Sequence, residues 1–489
     1  MSSLSASLNV ALSSLATTAE QTSIVSRNIA RANDPTASRK SAEVITLPGY
    51  GVRLSTVNRA VDTALYNNLL SSTSIAADQN AVVAALEKLA HTVNDTELDA
   101  SPAAMLQKLT DAIQQYGAAP ESITAAQTAV SAAKDLANGL NDATKLVQGV
   151  RAQADADIAA AVDDLNTMLA RFGEINSAIV KGKIAGSDVT DYLDQRDQLL
   201  LQISQEVGIK TMSRADGGMA IYTESGVTLF DVSARTISFQ ATSSYSAGTT
   251  GNAVYADGVA ITGSGATMSV GSGRINGLVS VRDEIAVTYQ NQLDEIARGL
   301  ISAFAESDQS AVPALPDVPG LFTWSGSPAL PASGTLEPGL AGDITINALA
   351  DPDQGGNARL LRDGGMGGAA YVYNASGVTA FTDRLQGLTD SLSAAQAFDP
   401  AAKLHGNTTL ANFASSSAGW LEQARSSASN EADYRNTLLE RSSEALNQVT
   451  GVNLDEEMTR MLELERTYQA SSKLIASIDQ MLQTLMAAV

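Results

Sequence analysis

Two apolar seams, one towards each end of a long chain, limit what this sequence can become. In the closing stretch Met461, Leu464, Tyr468, Ser471, Ile475, Ile478, Leu482, Leu485 and Val489 step forward by three and four in alternation. That is the spacing of a helix which lays one narrow stripe against another helix. In the opening stretch Leu4, Leu8, Ala11, Leu15, Thr18, Thr22, Val25, Ile29 and Ala32 follow the same rule. No proline follows Pro400, so nothing interrupts the second helix, and Asn453 or Asp455 can cap its start while Glu456 and Glu457 favour its positive end. At about 1.5 Å per residue it extends on the order of 50 Å, too long to bury within one compact domain. Matching seams at opposite ends are most simply satisfied by each other, which makes the two ends one coiled unit and the middle a large insertion.

Charge sharpens this reading. Between Thr467 and Val489 only Lys473 and Asp479 are charged, and before Arg27 only Glu20 is. A helix that faces water normally carries charge on its outer side, and here Leu462, Leu474 and Met481 widen the apolar surface instead. Helices of this kind are built for contact on more than one side, as in a packed assembly. The expected assembly interface is therefore Leu4, Leu8, Leu15, Val25, Ile29, Met461, Leu464, Tyr468, Ile475, Ile478, Leu482 and Leu485.

Between the ends the texture is mainly helical. The sequence predicts a mainly α fold with a β-rich insertion: residues 1–33 as the first half of the terminal coiled unit, 34–208 as a helical bundle, and 209–270 as a small β domain. A helix returning to the bundle follows at 271–310, then a Gly/Pro-rich outer region at 311–377, the second part of the bundle at 378–453, and the closing half of the coiled unit at 454–489. The stripe Ile158, Val162, Leu165, Leu169, Phe172, Ile175 and Ile179 marks one bundle helix. Pro48-Gly49-Tyr50-Gly51 marks a short extended excursion or hairpin within 46–61, and Asn33-Asp34-Pro35 ends the first helix. Seven prolines between Pro313 and Pro352 predict an exposed, irregular excursion, and Gly364-Gly365-Met366-Gly367-Gly368 a flexible turn.

The chemical inventory is thin. The chain has 489 residues, no cysteine, and two histidines, His91 and His405, far apart in sequence. Disulfides and thiolate sites are excluded, and no catalytic, cofactor-binding or metal site is expected. A net charge of -22 from 53 acidic and 31 basic residues argues against nucleic acid as a partner. No apolar run is long enough to span a membrane, and no basic region precedes Arg27, so export, if it occurs, is expected without a cleaved signal. Gly271-Ser272-Gly273-Arg274-Ile275-Asn276-Gly277 has a dinucleotide-fingerprint flavour, but its third glycine is one place late, and a strand-to-helix turn is the better reading. Asp194, Arg196 and Asp197 read as ordinary charges on a helix surface.

The ends also carry motifs. Asn28-Ile29-Ala30-Arg31-Ala32-Asn33 with Ser38-Arg39-Lys40, and Gly451 to Glu457 with Tyr468-Gln469-Ala470, resemble the terminal motifs of the flagellar rod, hook and hook-associated axial proteins. Thr36-Ala37 departs from the family's usual Gly-Tyr. Leu193-Asp194-Gln195-Arg196-Asp197-Gln198-Leu199-Leu200 is similar to a stretch typical of the hook-associated members at the hook-filament junction, which separates the chain from the hook protein itself. The resemblance implies a non-enzymatic, extracellular flagellar component that polymerises through its terminal helices. It further implies further copies, hook protein and a second junction protein as partners, and a cytoplasmic secretion chaperone on the closing helix. Another axial protein of the same family, or a secreted adhesin or enzyme carried by the β-rich insertion, are the alternatives.

Overall fold

A computed structural model describes residues 2–34, 37–47, 51–93, 101–312 and 315–487. Helix α1, Ser2–Ala30, gives way to a turn in which the Arg31 and Ala32 backbone N–H groups donate to Arg27 and Ile29 carbonyls. Pro35 and Pro48 to Tyr50, singled out above, lie outside the described residues. Strands β1, Lys40–Leu47, and β2, Gly51–Arg59, form an antiparallel hairpin with a register shift between Glu43 and Val44. It is longer than the excursion expected, and it lies on α1. The Ser13 hydroxyl accepts from the Val52 N–H at 3.2 Å, and the Thr17 hydroxyl donates to the Val52 carbonyl at 3.1 Å. A side chain at Gly51 would fall 1.9 Å from Ser13 Oγ, and its φ of +97° suits glycine, so this residue sets how close the hairpin lies.

The body begins with α2, Thr63–Val93, and α3, Pro102–Ala118, whose first turn has Pro102 in place and Ser101 Oγ accepting from the Ala104 N–H. Ser122 caps α4, Ile123–Ile184, in the same way through the Ala125 N–H. This 62-residue helix is the spine of the body, and every member of its apolar stripe is buried. Helix α5, Thr190–Glu206, returns alongside it. Strands β3, Ile209–Ser213, β4, Met219–Thr223, and β5, Thr228–Phe230, make one small antiparallel sheet. Strands β6, Ile237–Ser238, β7, Tyr255–Ala256, and β8, Val259–Ala260, make another. Phe230 meets Phe172 of α4 edge to face with ring centroids 4.9 Å apart, so the first sheet is packed into the spine.

Helix α6, Arg274–Ser280, passes through one π turn, Val281–Ile285, into α7, Ala286–Ala303. The glycines before it serve packing: at Gly273, φ +99°, a Cβ would sit 2.6 Å from the Val207 Cα, and at Gly277 it would meet the Asp78 carbonyl at 2.3 Å. The π turn buries Arg282, which reaches Asp155 of α4 at 2.7 Å and the Asn252 carbonyl at 2.8 Å, while Arg151 holds the Ser246 and Thr249 carbonyls. These two arginines tie the loop across 239–252 to the spine.

The Gly/Pro-rich stretch departs from expectation. It holds β9, Phe322–Thr323, paired with β10, Thr345–Ile346, the short helices α8, Leu340–Asp343, and α9, Leu360–Asp363, and little other regular structure. Instead of forming an outer region, it sends Leu321, Phe322, Leu340, Ala341, Ile344, Ala350 and Leu361 into the same core as α4 and α7. Proline restricts the backbone without making it polar, so an irregular segment with apolar side chains can still line a core. The glycine turn at 364–368 is likewise an ordered feature, wrapped so that the Gly367 N–H donates to buried Glu306. Helix α10, Asp383–Ser393, the hairpin of β11, Ala395–Ala397, and β12, Asn407–Thr409, and α11, Leu410–Thr450, close the body. After Gly451, α12, Leu454–Ala487, starts with Asn453 Oδ1 accepting from the Asp455 and Glu456 N–H groups.

One apolar core runs from Leu70 to Ala428, and among the described residues none of α1 or α12 belongs to it. Those two helices pack on each other, and α1 also packs on the hairpin.

Candidate assembly interface

The two seams face each other. Ser14 Oγ lies 3.3 Å from Ser471 Oγ, and Arg39, just beyond α1, ion-pairs with Glu456 in the first turn of α12, so the helices run antiparallel. The polar member of the closing seam thus has a polar partner. Val25, Ala11, Leu464 and Ile478 are buried along the contact, with Ser471. Leu4, Leu8, Leu15, Ile29, Met461, Ile475 and Leu482 are half-buried, and Tyr468 is exposed. The side chain of Leu485 lies outside the described residues. A two-helix layer protects only one stripe of each helix, and that accounts for the many half-buried members.

Much apolar surface is left over. Leu12 on α1 and Met458, Leu462, Leu474, Met481 and Met486 on α12 all face solvent, with Leu474 58% and Met486 79% exposed. Exposed apolar residues strung along two adjacent helices are what a contact surface for further chains looks like.

Where this unit meets the body, the charges of α5 are not surface charges. Asp194 and Arg196 are buried, contrary to expectation, and Asp197 is half-buried. Around the Asp194 carboxylate, Ser38 Oγ donates at 2.6 Å, Arg31 approaches at 3.2 Å, and Lys40 and Arg59 at 3.3 Å. Lys40 also pairs with Asp191, Arg59 with Asp197, and Arg27 with Asp188. Burial pushes the Asp197 carboxyl up against the pull of the Arg59 guanidinium. Burial also disfavours ionised Asp188, but the Thr190 hydroxyl and N–H, together with Arg27, hold its carboxyl below the usual range. Arg196 turns the other way and donates to the Gly217 carbonyl at 2.9 Å. A signal for this cluster was present: Asp188, Asp191, Asp194 and Asp197 recur every third residue, and Arg27, Arg31, Lys40 and Arg59 stand in a stretch, 27–59, where cations outnumber carboxylates. What spacing could not supply is that two segments some 150 residues apart would meet.

Neither the seam nor the clustered charges form a catalytic constellation. Among the described residues no group of three or more potential metal-ligating side chains comes together, and no helix is long and apolar enough to cross a membrane. Comparison with known proteins follows the same line. Residues 83–315 match the model for the flagellar hook-associated protein FlgK helical domain, and residues 446–488 match that for the flagellar basal body rod FlgEFG protein C-terminal region. Over these two regions the chain is similar to the flagellar hook-associated and rod proteins. Flagellar hook-associated protein 1 of Bacillus subtilis is 21% identical over 469 residues, 92% of this chain and 88% of that protein. The Escherichia coli protein of the same name is 24% identical over 303 residues, 61% of this chain but only 54% of its own length. A solved flagellar hook junction protein FlgK from Burkholderia pseudomallei superposes with a TM-score of 0.57 over 78% of this chain and 100% of that one. At 13% identity this likeness speaks for the fold alone. The two matched regions divide the family features: the helical model covers the spine and the sheets packed on it, and the rod model falls on α12.

Proposed function

We propose that this chain is a structural component of the bacterial flagellum that joins hook to filament by packing its terminal helices among neighbouring axial subunits. One observation carries the reading: α1 and α12 form a unit outside the body's core that still presents apolar side chains to solvent along both helices. Leu4, Leu8, Leu15, Val25, Ile29, Met461, Leu464, Tyr468, Ile475, Ile478, Leu482 and Leu485 are its working residues in this reading, the first set closing the unit and its flanks meeting other subunits. The partners are further copies of the chain, hook protein and a second junction protein. A cytoplasmic secretion chaperone holds the closing helix before extracellular assembly, and export needs no cleaved signal. The protein carries out no reaction. An enzyme or adhesin seated in 209–270 is disfavoured because those strands are built into the common core through residues such as Ile221, Leu229 and Phe230.

The test is the triple variant Ile475→Asp, Ile478→Asp, Leu482→Asp. Ile478 is buried, and an unpaired carboxylate there costs several kcal/mol, roughly 3–5 where the site is fully enclosed. The body, which shares no core with α12, keeps its helix content by circular dichroism. Cells carrying the variant build hooks and shed flagellin into the medium. Purified variant that restores filament growth when added to filament-less cells would remove the seam from the assembly contact.

A further inference from the structure

The joint between the terminal unit and the body is held in an unusual way. The chain passes between the two parts twice, in the short link 60–62 from β2 into α2 and in 451–453 between α11 and α12. Apolar packing across the joint is slight. The core that unites the body stops at Leu70 and Ala428, and beneath the joint lies a cavity of about 60 Å³ edged by Ala37, Arg59, Tyr66, Asp197, Leu446 and Thr450. What crosses the joint is polar. Arg31, Ser38, Lys40 and Arg59 converge on Asp194, and the Arg39 N–H donates to the Thr450 carbonyl at 2.7 Å.

We infer that Asp194 is the pin of a charge clasp which fixes the direction in which the terminal helix pair leaves the body, and that losing this one carboxylate frees the pair to swing. Asp194 is the group on which the cations agree, since its side chain is 2% exposed while that of Asp188 is 32% exposed and those of Arg27, Arg31 and Asp191 are more so. Exposed ion pairs are screened by water and salt and hold little. An enclosed carboxylate ringed by three cations and a hydroxyl is different in kind, because without it Arg31, Lys40 and Arg59 lose the one group they share and keep only their separate partners Asp34, Asp191 and Asp197. The links on either side permit the motion. Gly451 is extended, at φ −71° and ψ 169°, and interrupts what would otherwise be one helix from α11 into α12. The inference concerns the isolated chain and stands apart from any reading of its role in assembly.

The chain has no cysteine, so spin labels can be placed at two chosen sites without other changes. Glu20→Cys on α1 and Glu174→Cys on α4 are both exposed. In the otherwise unaltered full chain their separation, measured by pulsed electron paramagnetic resonance, is one narrow distribution. Asp194→Asn at least doubles its width, while amide exchange along α4 stays as slow as before. Asp188→Asn, at the exposed edge of the cluster, leaves the width unchanged, and Arg59→Gln gives an intermediate broadening that serves if the Asp194 variant fails to fold. A narrow distribution in Asp194→Asn, no broadening in Arg59→Gln, or equal broadening in Asp188→Asn overturns the inference.

Discussion

Asp294 shows how a single enclosed side chain makes the body sensitive to pH. Burial pushes its carboxyl up to about 6, although the Gly339 and Ala341 N–H groups and Gln290 donate to it and pull the other way. The folded state therefore binds a proton more readily than the unfolded chain, whose Asp titrates near about 4. Stability linked to this group is greatest below the unfolded value and is lost as pH rises through about 6. Asp294→Asn has no such proton to lose, so its melting temperature relative to the parent rises between pH 5 and pH 7, by roughly a few °C. Equal pH dependence in the two proteins would show that Asp294 does not titrate in this window. Gly273 acts through geometry instead. A Cβ at φ +99° and 2.6 Å from the Val207 backbone has nowhere to go, so Gly273→Ala lowers stability by about 1–3 kcal/mol or more, read as an earlier denaturant midpoint with an unchanged slope.

Among the elements, α4 and α12 are opposites, although both read as apolar stripes in the sequence. Helix α4 is covered by α3, α5, α7 and the small sheets, and its stripe from Ile158 to Ile179 has at most a few per cent of its surface in water. Helix α12 has α1 along one side and water along most of the rest, so among the described residues its seam reaches full burial at Leu464, Ser471 and Ile478 alone. A pair of long helices that buries so little cannot offset the entropy of its own ordering by much. Limited proteolysis of the soluble monomer accordingly cuts first within 2–30 and beyond Met458, while the α4 region resists, as mass spectrometry of the early fragments will tell. Early cleavage inside α4 with both end helices intact would reverse this order. The hairpin β1–β2 gives α1 a second covered side, where Thr17 and Ile24 are buried. The stripe of seam residues did not announce that contact, because the heptad rule finds the one face a helix shares with another helix and is blind to a strand pair laid across the next face.

At the scale of the whole molecule there are two parts, a body with one continuous core and a helix pair joined to it by charge. Local patterning alone settles the helices, the asparagine that caps α12 and the meeting of the two end seams, and the terminal motifs point to the axial proteins of the flagellum. It could do so because these rest on local rules: spacing of three and four, a hydroxyl or amide three residues before a free N–H, a proline that stops a helix. The assembled fold was needed to place Leu321, Phe322 and Ile344 of a proline-rich stretch in the core, to give Gly277 its close approach between α6 and α2, and to enclose Asp194 among Arg31, Lys40 and Arg59. In each case the deciding quantity is burial, which depends on what arrives from more than a hundred residues away. A carboxylate on an amphipathic helix looks the same in sequence whether water or three cations lie opposite, since its periodicity fixes the direction in which it points but not what stands there.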